Sequence, residues 1–325
     1  MRQPLPTRKL RPHPDLEQLK RQAKELLKAF VEGDGVDGVD EIEFTWGMPL
    51  YECVRAHKHE MARLLLERGA DANGQVYAGG TPLSEAYGQR DSEMIALLER
   101  HGGASNPSMA GLYRRKDLAV RLLAAHGNEP LPDDGFGSGP VAEQLVAAAA
   151  KGGDVEILAL ALQRVDWPKG DRGWYGALIG PLGFWNHWVG PWCHLEWDRT
   201  TYLQCFKMLL ERSGPPVAPL GYGVSLLHEV VTMRGHVPDD ERVAFAIAAL
   251  DAGAPTGLRD DTLLSTPLGW VSRWGREDLV RLFLDRGADP VEREAEPWAT
   301  PLAWAEKKGH SRIVSLLRDA AAFSR

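Results

Sequence analysis

The stretch TPLGWVSRWGREDLVRLFLDRGADP, residues 266–290, predicts the fold of this chain. Pro267 suits the first turn of a helix, because its missing N–H would have no intrahelical partner there, and Thr266 can cap that helix. A second helix with an apolar face follows Gly275. It ends before Gly287, since glycine readily takes the left-handed conformation that follows a helix. The stretch therefore predicts one helix–turn–helix unit.

Other parts of the chain repeat this unit. Thr300-Pro301-Leu302 opens a copy 34 residues after Thr266, and Pro82 follows Pro49 by 33 residues. The distance from proline to glycine is 20 residues in the copies that begin at Pro49, Pro82 and Pro267. A fixed period of this length is typical of proteins built from stacked helical units.

The period, the Thr-Pro-Leu openings and the Gly-Ala-Asp endings together resemble the ankyrin repeat. This resemblance implies an all-α fold, an ankyrin-repeat helical solenoid with an N-terminal capping helix. It also implies a concave surface that binds other proteins. The family offers no catalytic residues that could be carried over to this chain.

The predicted organisation has two parts. Residues 1–45 form an arm, a capping helix over 15–30 and a linker, and residues 46–325 form the repeat array, with degenerate units over 107–165. The helix has a broad apolar face that would cover the first repeat, as terminal units of solenoids require. Its basic face would also suit a membrane or an acidic partner, and this alternative stays open.

Composition excludes several classes of protein. The chain has 325 residues and a net charge of −7, which disfavours a general nucleic-acid binder because such proteins need a basic stripe. Its three cysteines are widely spaced, which favours a reducing compartment over a disulfide framework. No apolar run is long enough to cross a bilayer. We therefore expect a cytoplasmic protein without nucleic-acid or membrane partners.

A tryptophan-rich insertion is predicted around residues 167–200. Six of the eleven tryptophans fall between 167 and 197, and two histidines and a cysteine lie among them. Indoles are enriched at binding hot spots, but a long loop can also build a small core of its own. The spacing of His187, Cys193 and His194 matches no zinc motif, and adjacent Cys and His side chains point apart, so neither a metal site nor a catalytic dyad is predicted.

Aligning the copies by their prolines reveals a column of residues at the third position after the proline. The column reads Glu52, Glu85, Glu229, Trp270 and Trp304. Side chains at one position of stacked helices should lie about 10 Å apart, so glutamates and indoles would form a two-part surface. Alternatively, Trp270 and Trp304 pack against each other.

The predicted function is a scaffold that binds another protein through the concave face and the insertion. The predicted binding residues are Trp185, His187, Trp188, Trp192, His194, Trp197, Glu52, Glu85, Trp270 and Trp304. The alternative is a small-molecule-binding or enzymatic variant, in which the insertion forms an aromatic pocket for a ligand that stacks on its rings. No catalytic residue, metal or cofactor is predicted.

Overall fold

A computed structural model describes residues 49–75, 80–127, 129–131, 139–183, 200–217, 223–233 and 239–323. The structure is about 65% helix, and the strands among these residues form one pair of two residues each. The predicted all-α class is therefore confirmed. The predicted capping helix over 15–30 lies outside the described residues. Within them, none of the helices is both long and apolar enough to span a membrane.

The described chain forms two compact units, and the first ends at Ser105. It contains two helix pairs: α1 (Pro49–Arg55) with α2 (His59–Glu67), and α3 (Pro82–Gly88) with α4 (Ser92–Arg100). The first helices α1 and α3 pack on each other, as do the second helices α2 and α4.

The second unit begins at Asn106 and is also built mainly of helices. Its helices are α5 (Pro107–Leu112), α6 (Lys116–His126), α7 (Val141–Gly152), α8 (Val155–Leu162), α9 (Arg172–Ile179), α10 (Thr200–Ser213), α11 (Leu226–Thr232), α12 (Asp239–Asp251), α13 (Pro267–Trp274), α14 (Glu277–Asp285), α15 (Pro301–Lys308) and α16 (Ser311–Phe323). A 3-10 turn, Gly180–Leu182, follows α9, and the strands are β1 (Pro130–Leu131) and β2 (Gly139–Pro140). Within this unit α5, α7 and α9 pack in succession, and so do α11, α13 and α15.

The predicted helix boundaries hold in the unit from which the prediction started. The Thr266 hydroxyl accepts a hydrogen bond from the N–H of Gly269, and Thr300 caps α15 in the same way. Gly287 has a φ of 83° and follows α14, as the sequence predicted. Gly275 and Gly309, in the turn between the helices of each pair, are also left-handed, with φ of 74° and 75°.

Two helices of the second unit differ from the prediction. The predicted degenerate units over 107–165 begin with a capped helix, because Asn106 caps α5 through the N–H of Met109. Arg172–Ile179, inside the predicted insertion, is the helix α9, and it packs on α7. Trp174 lies on α9 and is fully buried, so this part of the predicted insertion belongs to the helical core.

The tightest packing in the second unit is between α5 and α7. A Cβ added to Gly111 on α5 would lie 2.3 Å from the carbonyl carbon of Ala148 on α7. A Cβ added to Gly152 would lie 2.1 Å from the carbonyl oxygen of Gly111. Backbone atoms cannot give way as a flexible side chain can, so only glycine permits this approach.

We expect Gly111→Ala to destabilise the protein by about 1–3 kcal/mol, because the new methyl group must push α5 away from α7. Helix propensity alone would predict the opposite sign, since alanine favours a helix over glycine by roughly 1 kcal/mol. Urea unfolding followed by circular dichroism measures the difference.

Gly176→Ala on α9 is the matched control. Gly176 is exposed and a Cβ there would meet no atom within 4 Å, so this change should leave stability unchanged or raise it. If both variants shifted stability in the same direction, the close packing of Gly111 on α7 would be refuted.

Candidate recognition surface

The ten predicted binding residues divide into two groups. Trp185, His187, Trp188, Trp192, His194 and Trp197 lie in 184–199, outside the described residues. Glu52 and Glu85 lie in the first unit, on α1 and α3. Trp270 and Trp304 lie in the second, on α13 and α15.

Glu52 and Glu85, the two glutamates of the column that lie in the first unit, bond to neighbouring side chains of that unit. Glu52 accepts from Nε of Arg55 at 3.0 Å. Glu85 is buried and accepts from the Tyr51 hydroxyl at 3.0 Å and from the Gln89 amide at 2.9 Å. Burial raises the pKa of Glu85, and the hydrogen bonds from Tyr51 and Gln89 oppose that rise. Its carboxyl group therefore joins two helix pairs rather than facing solvent.

The histidines His57 and His59 meet at Asp91. His57 Nδ1 lies 2.9 Å from one carboxylate oxygen and His59 Nε2 lies 3.0 Å from the other. Asp91 also caps α4 through the N–H of Met94. Burial would raise the pKa of Asp91, but the hydrogen bonds from His59, His57 and Met94 lower it to about 2. The hydrogen bond to Asp91 raises the pKa of His59.

Trp270 and Trp304 make contacts with different rings. Trp270 packs edge-on against His228 at 4.9 Å and against Trp274 at 5.1 Å between ring centroids. Trp304 packs edge-on against Trp298 at 6.0 Å and is only 4% exposed. The two indoles therefore pack against different aromatic side chains.

The indole N–H groups of both residues bond to one loop that precedes α13. Trp270 Nε1 donates to the Asp260 carboxylate at 2.7 Å, and Trp304 Nε1 donates to the Ser265 hydroxyl at 2.8 Å. Asp260 also accepts from the backbone N–H groups of Thr262 at 2.8 Å and Leu263 at 2.6 Å. Burial would raise the pKa of Asp260, but these hydrogen bonds lower it. The loop thus fixes both rings.

Glu292 positions the next loop, which precedes α15. It is buried, has a φ of 47°, and accepts a hydrogen bond from the Thr266 hydroxyl. Its other carboxylate oxygen lies 2.7 Å from Arg259. A non-glycine residue in the left-handed region costs conformational energy, which these contacts offset.

Exposed apolar side chains lie beside the fixed rings. Trp274 is 40% exposed, Trp298 is 48% exposed and Leu264 is 40% exposed. The residues that follow Leu264 and Trp298 are joined, because the Ser265 hydroxyl donates to the Ala299 carbonyl at 2.9 Å. We call Trp270, Trp274, Trp298 and Trp304 the aromatic ridge. Large exposed indoles are unusual unless they contact a ligand or a partner.

Two cations lie over the Trp304 ring of the aromatic ridge. The guanidinium carbon of Arg273 is 4.8 Å from the Trp304 ring centroid and Lys307 Nζ is 5.1 Å from it. Cations are attracted to the face of an indole at such distances. The ridge therefore combines exposed apolar surface with positive charge.

The described residues offer buried ionisable groups, but their contacts are structural. His228 Nδ1 accepts from the N–H of Ser225 at 3.0 Å, and Nε2 donates to the Ser265 carbonyl at 3.0 Å. Burial lowers the pKa of His228 to about 4, so it is neutral. Burial raises the pKa of Cys53 and Cys205 to about 12, so neither is a thiolate. Within the described ranges no cluster of side chains could hold a metal ion.

The sequence reasoning missed Leu264, Trp274 and Trp298. Leu264 and Trp298 each stand two residues before a capping threonine, Thr266 or Thr300. An apolar residue at the same exposed loop position of two units was a readable signal. Asp260 and Ser265 had none, because a buried polar side chain looks like any loop residue in a sequence.

Comparison with known proteins gives one short similarity. No protein-family model matches the chain. A stretch of 46 residues is 48% identical to the serine/threonine-protein kinase VIK of Arabidopsis thaliana, covering 14% of this chain and 10% of the kinase. Because the similarity covers a tenth of that kinase, it assigns no activity to this chain.

Asp91→Asn should return the pKa of His59 towards about 6.5, its ordinary value, because the charged acceptor is lost while an oxygen remains to cap α4. Since the pKa of His59 is raised in the folded protein, its contribution to stability is present at low pH and is lost as pH rises through that pKa. The loss of unfolding free energy in Asp91→Asn should therefore be larger at about pH 5.5 than at about pH 8.

NMR titration of the histidine ring protons measures the pKa, and Asp117→Asn is the control. Asp117 pairs with Arg115 and contacts neither histidine, so this variant should keep the wild-type titration of His59. An unchanged His59 pKa in Asp91→Asn would contradict the assigned contact.

Ser265→Ala should destabilise the second unit by about 1–3 kcal/mol, because the buried indole N–H of Trp304 loses its acceptor. Thermal unfolding followed by circular dichroism measures the change. Ser315→Ala on α16 is the control, since Ser315 is exposed and bonds only to its own helix. Equal thermal unfolding midpoints for Ser265→Ala and Ser315→Ala would show that the Ser265 hydroxyl does not join the loop before α13 to the loop before α15.

Proposed function

We propose that this chain is an ankyrin-type helical repeat protein that binds another protein through the aromatic ridge on its final two helix pairs. The observation that carries the proposal is the exposure of Trp274 and Trp298 beside rings whose N–H groups are already bonded. Rigid indoles supply a large contact area at a low cost in conformational entropy.

The repeat assignment is supported by the periodicity of the backbone. The capping threonines Thr266 and Thr300 are 34 residues apart, and so are the left-handed turn glycines Gly275 and Gly309. The first unit repeats its left-handed turns at His57 and Arg90, 33 residues apart. Such repeats use their first helices and loops as a binding surface, and the aromatic ridge lies on those elements.

The tryptophan-rich stretch stays a second part of the proposed binding surface. Its residues 184–199 lie outside the described residues, so the proposal for Trp188 and Trp192 depends on their concentration in the sequence alone. They can be tested separately from the aromatic ridge.

The test compares the proteins captured from an extract of the source cells by immobilised wild type and by Trp274→Ala/Trp298→Ala. A partner that uses the ridge should be enriched at least tenfold less by the double variant, because the loss of even one hot-spot indole, on the order of 2 kcal/mol, lowers affinity by more than tenfold. Quantitative mass spectrometry measures the enrichment, and circular dichroism establishes that the variant keeps its helices.

Phe323→Ala is the matched control, because Phe323 is 92% exposed, lies at the end of α16 and is not one of the ridge residues. It should capture the same partners as wild type. A second double variant, Trp188→Ala/Trp192→Ala, tests the tryptophan-rich stretch in parallel. If the ridge variant captured every partner as well as wild type does, the ridge would not be the binding surface.

A further inference from the structure

We propose that the aromatic ridge binds an acidic peptide segment of its partner, with carboxylates at Arg273, Lys307 and Lys308 and apolar side chains on Trp274 and Trp298. This inference rests on the proposed function and adds the chemistry of the segment that the ridge selects.

The positive charges beside the ridge come from the last turns of α13 and α15. Arg273 and Lys307 occupy the same position in successive helix pairs, 34 residues apart, and both charged groups lie about 5 Å from the Trp304 ring. Lys308 follows at the end of α15 and is exposed. Three positive side chains thus adjoin one end of the ridge.

Among the described residues, no carboxylate forms an ion pair with these positive charges. Arg281 and Arg286 on the adjacent helix are each 2.7 Å from a carboxylate, Glu277 and Asp251, and Arg318 is 2.7 Å from Glu306. Among the described residues, by contrast, no ion pair involves Arg273, Lys307 or Lys308. Negative groups of a partner can therefore bind there without displacing an internal ion pair.

The cations also have a local role, which does not account for the whole surface. They stand at the C-terminal ends of α13 and α15, where positive charge is favourable to the helix dipole. The dipole gives no reason for Trp274 and Trp298 to remain exposed next to them. A ligand with both carboxylates and apolar side chains accounts for both features.

A neighbouring depression of about 340 Å3 is a weaker candidate for the binding site. It is lined by Gly275, Arg276, Glu277, Asp278, Leu279 and Arg312. Its wall residue Glu277 already contacts Arg281 at 2.7 Å and Arg312 at 3.9 Å. Glu277 is therefore already paired within the protein, whereas among the described residues Arg273, Lys307 and Lys308 form no ion pair.

An acidic peptide fits this surface better than a nucleic acid does. Single-stranded nucleic acids also bind cations and aromatic rings, but they need a basic groove that follows several phosphates. This chain has a net charge of −7. The exposed residues Glu296 and Glu306 are close in sequence to the ridge residue Trp298 and to Lys307. Local positive charge in an acidic protein favours a short acidic segment.

The experiment measures fluorescence anisotropy of two labelled peptides with the full chain. One peptide repeats Glu-Gly-Phe units, and the other has Gln in place of every Glu. Wild type should bind the Glu peptide roughly tenfold more tightly than the Gln peptide, and added salt should reduce that difference. The variant Arg273→Gln/Lys307→Gln/Lys308→Gln should lose the preference.

The matched control is Arg281→Gln/Arg286→Gln/Arg318→Gln, which removes the same charge from neighbouring helices and should keep the preference. Because Arg273 is half-buried, the variant Lys307→Gln/Lys308→Gln retains it and changes only exposed side chains. This variant should weaken Glu-peptide binding by a few-fold even if the triple variant fails to fold.

Three results would overturn the inference. Equal binding of both peptides, lost only in Trp274→Ala/Trp298→Ala, would show an apolar surface without charge selection and would leave the proposed function standing. Binding of neither peptide would refute the acidic segment, while the capture experiment decides separately on the proposed function. Tighter binding of a labelled single-stranded oligothymidine than of the Glu peptide would assign the ridge to nucleic acid.

Discussion

Ser265, in the loop before α13, forms hydrogen bonds with the preceding helix pair and with the following one. The arrangement of α11, α13 and α15 depends on these bonds. The His228 imidazole donates to its carbonyl, the Trp304 indole donates to its hydroxyl, and that hydroxyl lies 2.9 Å from the carbonyls of Leu263 and Ala299. All these groups are buried or half-buried, so each would lose free energy if left without a partner. Three successive helix pairs are thereby fixed in one register.

In the first unit, hydrogen bonds from different side chains also join neighbouring helix pairs. Tyr51 bonds to Glu85, the Gln89 amide bonds to the Arg55 carbonyl, and His57 bonds to Asp91, each across 34 residues. Ser265 and Ala299 are also 34 residues apart. The period of the sequence therefore reappears in the hydrogen bonds between adjacent helix pairs, although different residue types make them. A helix pair cannot bury its polar ends alone, so the neighbouring pair supplies the partners.

The local elements were more predictable than the contacts between them. Thr266, Pro267 and Gly287 predicted their helix boundaries, because capping and left-handed glycines act within a few residues. Helix α9 was missed because Trp174 and the tryptophans that follow in the sequence suggested an insertion, although Asp171 caps the helix through the N–H of Gly173. Glu85 and Trp304 were named from their spacing to the prolines, but their side-chain contacts depend on Tyr51 and Ser265, which lie in neighbouring helix pairs. Such long-range partners leave no pattern in the spacing of a single sequence.

The contacts of Trp304 explain how the candidate surface can be rigid and still leave neighbouring side chains exposed for a proposed partner. Its N–H is bonded to Ser265, its edge packs against Trp298, and its face lies near Arg273 and Lys307. A ring held on several sides loses little further freedom when a partner binds, so its neighbours meet the partner in a nearly fixed geometry. Because the internal hydrogen bonds use the indole N–H groups of Trp270 and Trp304, the proposed partner would bind to the exposed faces of Trp274 and Trp298 and to the cations. The residues that build the surface and the residues proposed to touch a partner are therefore different, and substitutions in the two groups should separate stability from binding.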